Sequence, residues 1–430
     1  MEILLSHAKE YLEKEVTISG WLANKRSSGK IHFLQLRDGT DFIQGVASIS
    51  DIGENAFTEL ESLPQETSLT VTGKIAAGTR GPSGVEMHVS SFTVISKPLE
   101  DYPISNKEHG PDFLLENRHL WLRSKKQWAI QRVRNTIINA TYEYFAMNDF
   151  IKIDAPIFTP TSCEDTTELF EVDYFGEPAY LSQSGQLYIE AAIFAHRRVF
   201  DFGPVFRSEK SKTRRHLTEF WMMDAEMAFM KHEDNMKMQE GLVFHIVSKV
   251  LEKNEYELTI LERNIDALRK IQIPFIRMTH SDAVKELRKL GSDIKEDADL
   301  GADDETMLTN AHDNMMFIEK YPFKVKAFYM KKDPLDPTRA LCADMLAPEG
   351  YGEIIGGSER EENYDELLKE IIAHKLPVES LQWYLDLRKY GSVPHSGFGY
   401  GLERIVTWIC GIHHVREAIP FPRTITRKYP

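Results

Sequence analysis

FRSEKSKTRRHLTEFWMMDAE, residues 206 to 226, sets five basic side chains and a histidine in its first eleven residues, within a chain of 430 residues whose formal net charge is -14. FDFGPVF runs up to the charges and FWMMDAEM follows them. Both read as strands, so the simplest geometry is a hairpin with the cations at its mouth. Arg207 and Glu209 stand at i and i+2 as the first strand ends, which would turn both toward one side of the sheet. Arg215 and His216 lead into Leu217, Phe220 and Trp221, which sets cations beside an aromatic platform. A phosphate chain carrying a flat heterocycle suits such a surface, because guanidinium groups fork phosphate oxygens and a phenyl ring stacks on a base.

A second motif, GFGYGLERIVTWICG, begins at Gly397. Gly397, Gly399 and Gly401 alternate along a strand that runs into a helix. Glycine inside a strand costs stability and marks close approach of another backbone or a ligand. Arg404 would open the helix facing that ligand.

Outward from these motifs, residues 16 to 95 hold five short β-type runs, VTISGWLAN, IHFLQLRD, DFIQGVASI, SLTVTGKI and VEMHVSSFTVI. Five short strands in so small a span suit a closed OB-fold barrel. The stretch KPLEDYPISNKEHGPDFLLENRH has no periodicity and reads as a hinge. From Lys125 a helix is expected, with Trp128, Val133, Ile137, Ile138, Thr141 and Phe145 at helical spacing, followed by the proline-ended strand FIKIDAPIFTP. The expected organisation is a barrel over 1–97, a linker over 98–125, and an α+β domain over 126–430. That domain would carry a mainly antiparallel sheet and an acidic helical insertion at about 232–320.

A hydrophobic fraction of 42% is that of a globular chain, and no apolar run reaches the 18 or so residues of a membrane span. The acidic N-terminal stretch MEILLSHAKEYLEKEV is unlike a signal peptide, so a cytoplasmic, non-membrane protein is expected. Cys163, Cys342 and Cys410 lie far apart without zinc-type spacing and read as reduced thiols. The net acidity argues against nonspecific nucleic-acid binding; any polyanion must be met locally.

FRSE…RRHLTEF and GFGYGLER resemble the second and third signature motifs of class II aminoacyl-tRNA synthetases, and 126–160 with Pro156 resembles the first, dimer-forming one. With the barrel in front, the resemblance is to the aspartyl/asparaginyl/lysyl subgroup and covers nearly the whole chain. It implies a homodimer and bent ATP bound with Mg²⁺. Residue by residue, it implies that Arg207 holds the α-phosphate, Glu209 accepts from the adenine amino group, and Phe220 and Arg404 sandwich the ring. Arg404 would also reach the γ-phosphate, and Arg215 and His216 the distal phosphates. Asp344 and Glu353, in CADMLAPEGYGEIIGGSER, are the acids for Mg²⁺.

An aspartate pocket must neutralise a carboxylate, whereas an asparagine pocket must offer an amide both a donor and an acceptor. Aspartate enzymes resembling this chain carry a Lys where QSGQLYIEA has Ile189. Arg360 matches the arginine the family points at the substrate side chain, and Asp224 can accept from an amide NH₂. That pairing favours asparagine, with Glu164, Ser184 and Gln186 meeting its α-amino end. Arg26, Phe33 and Gln44 are placed as in the anticodon-reading surface of this family's barrels, which implies recognition of asparagine tRNA, with Lys25 and Lys30 meeting phosphates. The alternatives are a nondiscriminating aspartyl enzyme or a synthetase-derived RNA-binding protein; intact Arg207, Glu209 and Arg404 speak against the second.

Overall fold

In the computed structural model, which describes residues 1–78, 84–105, 107–160, 169–211 and 213–430, the chain forms two units, Met1–Leu114 and Leu115–Pro430. In the first, β1 (Glu15–Ser28), β2 (Ile31–Arg37), β3 (Phe42–Ser48), β4 (Ser68–Ala77) and β5 (Val85–Ser96) close into a barrel of order β1-β2-β3-β5-β4. Strand alternation decides its two faces. Leu34, Leu36, Ile43 and Ala47 point into a core shared with Val16, Ile18, Val71 and Ile75. The residues between them point out.

The second unit is built on an eight-stranded sheet. Its strands in chain order are β6 (Ile151–Lys152), β7 (Arg198–Phe206), β8 (Glu219–Ala228), β9 (Ile276–Thr279), β10 (Met316–Glu319), β11 (Cys342–Ala347), β12 (Gly352–Glu359) and β13 (His395–Gly401). Their spatial order is β9-β10-β11-β12-β13-β8-β7-β6. Only the outermost pairs, β9 with β10 and β7 with β6, are parallel. An α+β domain with a mainly antiparallel sheet is thus what the chain forms. Its β7–β8 hairpin pairs Phe206 with Glu219, and Arg207, Lys210, Arg214, Arg215 and His216 lie in the connection between the two strands.

One face of the sheet is covered by three helices. The first, α1 (Lys125–Met147), is capped by Ser124, whose side chain accepts from the Gln127 N–H, and buries Ile130, Val133 and Ile137. With it pack α2 (His232–Lys253), through Leu242, Val243 and Ile246, and α3 (Leu402–Cys410), through Ile405, Val406 and Ile409. The sheet answers with Met223, Ala225, Met227, Phe398 and Tyr400, the odd residues of β8 and even residues of β13. Their neighbours therefore face the other way, where a smaller cluster of Ile189, Ile193, Val199 and Ala228 covers one end and leaves Met222, Asp224 and Gly399 lining a cavity. The span 232–320 holds α2 and Ala302–Asn310, but it also contributes β9 and β10, so it is woven into the sheet.

Candidate active site

Phe220, Met222, Asp224 and Glu226 alternate along β8 and share the open face of the sheet. Opposite them on β13, Met222 pairs with Gly401, Asp224 with Gly399 and Glu226 with Gly397. A Cβ on Gly399 would stand 2.5 Å from Asp224 Oδ1, and one on Gly397 would stand 2.0 Å from Glu226 Oε1. The glycine alternation thus makes room for two acids that lean across from the neighbouring strand. Asp224 and two of these glycines, Gly399 and Gly401, line a cavity of ≈ 360 Å³, within the range of small-molecule sites.

One end of the cavity is cationic. Arg207 continues the hairpin ladder by donating its N–H to Thr218 O, and its guanidinium carbon lies 5.5 Å from the centre of the Phe220 ring. Arg404 Nη1 donates to Glu353 Oε2 at 2.8 Å, and Arg215 Nη1 to Glu305 Oε2 at 2.6 Å. His216 is pushed down from its ordinary pKa by burial and then by Arg404, Arg207 and Arg215, which favours the neutral imidazole. A bound polyanion would reverse that repulsion.

Asp344 and Glu353 both line this end. A Cβ on Gly356 would meet Glu353 Oε1 at 3.2 Å and Asp344 Oδ1 at 3.7 Å, so the two carboxylates converge over one point of β12. Burial pushes the Asp344 carboxyl up to about 6 against the pull of Lys326, and Glu353 adds to the rise. Lys326 Nζ lies 3.0 Å from Asp344 Oδ2. Glu353 is held below the usual carboxylate range, since Arg404, Lys326 and Arg207 outweigh its burial. Two hard oxygen donors beside phosphate-binding arginines fit a Mg²⁺ that takes its other ligands from phosphates and water. Among the described residues no group of three or more His, Cys, Asp or Glu could hold a metal unaided.

The other end is a buried polar wall. Asp224 Oδ2 accepts from Ser184 Oγ at 3.0 Å and from the Gly185 N–H at 2.9 Å. Arg360 is almost wholly buried; its Nε and Nη2 grip Glu226 Oε1 at 3.1 and 2.5 Å, and Nη1 reaches Ser358 Oγ at 2.7 Å. Gln186 Nε2 lies 3.2 Å from Glu190 Oε1. Glu190 is in turn held by Arg388 at 2.9 Å, His395 at 3.1 Å and both contacts of Tyr384 Oη. Burial alone would raise this carboxyl; Arg388 and His395 more than offset that and keep it ionised well below its ordinary range.

The cavity thus gathers Arg207, Arg215, His216, Phe220, Asp344, Glu353 and Arg404 at one end and Gln186, Asp224 and Arg360 at the other. Ser184 stands behind Asp224, outside the lining. Glu209 is not in the lining either: β7 ends at Phe206, so the i, i+2 relation to Arg207 expected of a strand does not extend into the loop. Glu164 lies outside the described residues. Ile189 is fully buried beside Ile193, Val199 and Ala228 and does not line the cavity, so the charged groups lining this end are Arg360 and Asp224. Glu226 was legible only as the i+2 partner of Asp224. Glu305 and Lys326 carry no local signal, since they reach the site from distant segments.

On the barrel, Arg26 pairs with Phe33 and Phe33 with Val46, while Gln35 pairs with Gln44. Residues two apart share a face, so Arg26, Phe33 and Gln44 all stand on the outer surface. The Arg26 guanidinium lies 4.7 Å over the Phe33 ring, and Gln44 Nε2 donates to Glu86 Oε2 at 3.3 Å. Lys25 points the other way. Its Nζ bonds Leu60 O and Glu61 O at the end of the Glu54–Ser62 helix, so it caps a helix where a phosphate contact was expected. Among the described residues no helix is long and apolar enough to cross a membrane.

Residues 110–425 match the family described as tRNA synthetases class II (D, K and N), and residues 16–95 match the OB-fold nucleic acid binding domain. The chain is similar over the full length of both chains to the asparaginyl-tRNA synthetase of Pyrococcus horikoshii complexed with asparaginyl-adenylate, with 42% identity and a TM-score of 0.95. It is likewise similar over both full lengths to the Entamoeba histolytica asparaginyl-tRNA synthetase in complex with asparaginyl-adenylate, at 32% identity and a TM-score of 0.91.

Proposed function

We propose a reaction for this site from the premise that the chain belongs to the class II tRNA synthetases of the D, K and N group and, within it, to the asparaginyl-tRNA synthetases. The protein is an asparagine–tRNA ligase: it activates asparagine with ATP to asparaginyl-adenylate and pyrophosphate, then transfers asparagine to the 3′ end of tRNA(Asn). Full-length similarity to an enzyme solved with asparaginyl-adenylate carries this reading.

In our reading ATP lies along the cationic end. Arg207 neutralises charge at the α-phosphate as the asparagine carboxylate attacks, while Arg215, His216 and Arg404 hold the leaving pyrophosphate. The nucleophile is already an anion, so positioning and charge neutralisation suffice without a general base. Phe220 supports the adenine, with Glu209 nearby on the loop. When bound, Mg²⁺ would neutralise phosphate charge, held by Asp344 and Glu353. At the other end, Arg360 donates to the side-chain amide oxygen and Asp224 accepts from its NH₂. Glu226 fixes the Arg360 plane, so a second carboxylate meets acids where an amide meets an acceptor. Gln186, Ser184 and Glu164 serve the α-amino end.

The barrel, residues 1–97, would read the anticodon through Arg26, Phe33 and Gln44, joined by the linker 98–125 to the chemistry of 126–430. Homodimer formation through α1 and the segment 150–160, and a cytoplasmic location, belong to the same proposal. Half-exposed Ile151, Ile157 and Phe158 support an apolar self-contact there. ATP–pyrophosphate exchange with asparagine and aspartate in parallel tests the assignment. Exchange driven by asparagine is expected, and exchange with aspartate alone would point to a nondiscriminating aspartyl enzyme.

A further inference from the structure

Arg215, assigned above to the distal phosphates, is held from a part of the chain that belongs to none of the signature motifs. Its Nη1 meets Glu305 Oε2 at 2.6 Å, and its Nη2 meets Thr306 Oγ1 at 2.7 Å and Gly350 O at 3.0 Å. Glu305 and Thr306 lie on the helix Ala302–Asn310. The same Glu305 oxygen accepts the Glu353 N–H at 3.0 Å. Glu353 in turn holds Arg404. One carboxylate therefore ties two arginines of the cationic end to a common frame.

The backbone makes room for this tie. Gly352, at φ +72°, passes so close that a Cβ would stand 2.3 Å from Glu305 Oε2 and 2.5 Å from Arg215 Nη1. An acid inside a polyphosphate site is costly by simple electrostatics, since it repels the ligand. Its value here is order. A guanidinium on a loop loses side-chain freedom when it grips a phosphate, and one already oriented loses less.

We propose that Glu305 is a positioning residue for the pyrophosphate end of the ATP site, setting Arg215 before ATP arrives; this rests on the ATP reading above. Its effect falls on ATP and on pyrophosphate in the reverse direction, and spares asparagine, which is bound by other residues.

The test is steady-state ATP–pyrophosphate exchange on the full chain. E305A should raise KM for ATP and for pyrophosphate about tenfold, the loss of one charge-assisted bond, with KM for asparagine changed by less than about twofold. E305Q, which keeps an acceptor oxygen, should recover most of that loss. In an R215A background E305A should add nothing. Equal rises in all three KM values, no change in the ATP KM, or additive effects with R215A would each overturn the proposal. Should E305A not fold, T306V decides: it removes one Arg215 acceptor and should raise KM for ATP and for pyrophosphate while leaving that for asparagine in place, and unchanged ATP and pyrophosphate values sink the idea. Absence of asparagine-dependent exchange in the unaltered protein would instead sink the underlying ATP reading.

Discussion

Asp224 and Gly399 face each other across β8 and β13, and Asp224 Oδ1 occupies the place a side chain at 399 would take. G399A therefore acts on the acid. Its methyl would meet Asp224 Oδ1 at 2.5 Å and Met222 Cε at 2.7 Å. Overpacking of this kind costs about 1–3 kcal/mol. The catalytic signature should be a KM for asparagine raised about tenfold or more with a smaller change for ATP, the magnitude of one displaced polar contact. R404A, at the other end of the cavity, should show the reverse weighting toward ATP. Identical KM profiles for the two variants would contradict the division of the cavity into two ends.

The buried Glu190 network makes a stability prediction. Arg388 Nη2 and Glu190 Oε2 are 2.9 Å apart with both side chains fully enclosed. R388M leaves the acid with His395 and Tyr384, and removing one partner of a buried pair costs about 3–5 kcal/mol. Urea unfolding measures it. Adding E190Q should return part of the loss, because the uncompensated charge goes with it; a double variant less stable than R388M would mean the charge is not the cause.

His414 provides a pH dependence. Its Nδ1 accepts the Arg416 N–H at 3.2 Å, capping the short turn Val415–Glu417. Burial, then Arg416 and His413, push its pKa down from 6.5 to about 4, with Glu417 opposing and Arg214 adding. The folded pKa lies below the unfolded one, so the unfolded chain binds more protons between the two values. The stability this group contributes is complete above 6.5 and is lost as pH falls toward 4. Asparagine at 414 keeps a capping acceptor and does not titrate. Melting temperatures from pH 7.5 to 4.5 should fall less steeply in H414N than in the parent chain; parallel curves would remove His414 from the account.

On the barrel, F33A removes the ring on which Arg26 rests. Base stacking on an aromatic ring contributes about 1–3 kcal/mol, so KM for tRNA should rise about five- to hundredfold. ATP–pyrophosphate exchange without tRNA should be unchanged. A slowed exchange reaction would show that Phe33 serves the fold of the chain and not RNA.

The hairpin of 206–226 and the glycine strand at 397–401 were readable because each motif is local: alternation, turn chemistry and a charge cluster lie within some twenty residues. The barrel was readable for the same reason, five short runs with turn residues between them. The strand leading to Arg207 and Glu209 was read past its end, since it stops at Phe206 and no residue between Phe206 and Lys210 marks the stop. Lys25 was misread because its partners, Leu60 O and Glu61 O, are backbone atoms that leave no trace in sequence. Ile189 looked like a lost cation, yet it belongs to an apolar cluster.

The sequence alone determined the class of chemistry: basic and aromatic residues at fixed spacing before a glycine-alternating strand suffice to specify a nucleotide site. Tertiary structure decided which groups share that site. Arg360 finds Glu226 across 134 positions, Arg215 finds Glu305 across 90, and Arg388 finds Glu190 across 198. Such pairs are set by sheet order and by where the helices cross it. Ion pairing inside a low-dielectric wall depends on distance in space, and sequence spacing does not encode it.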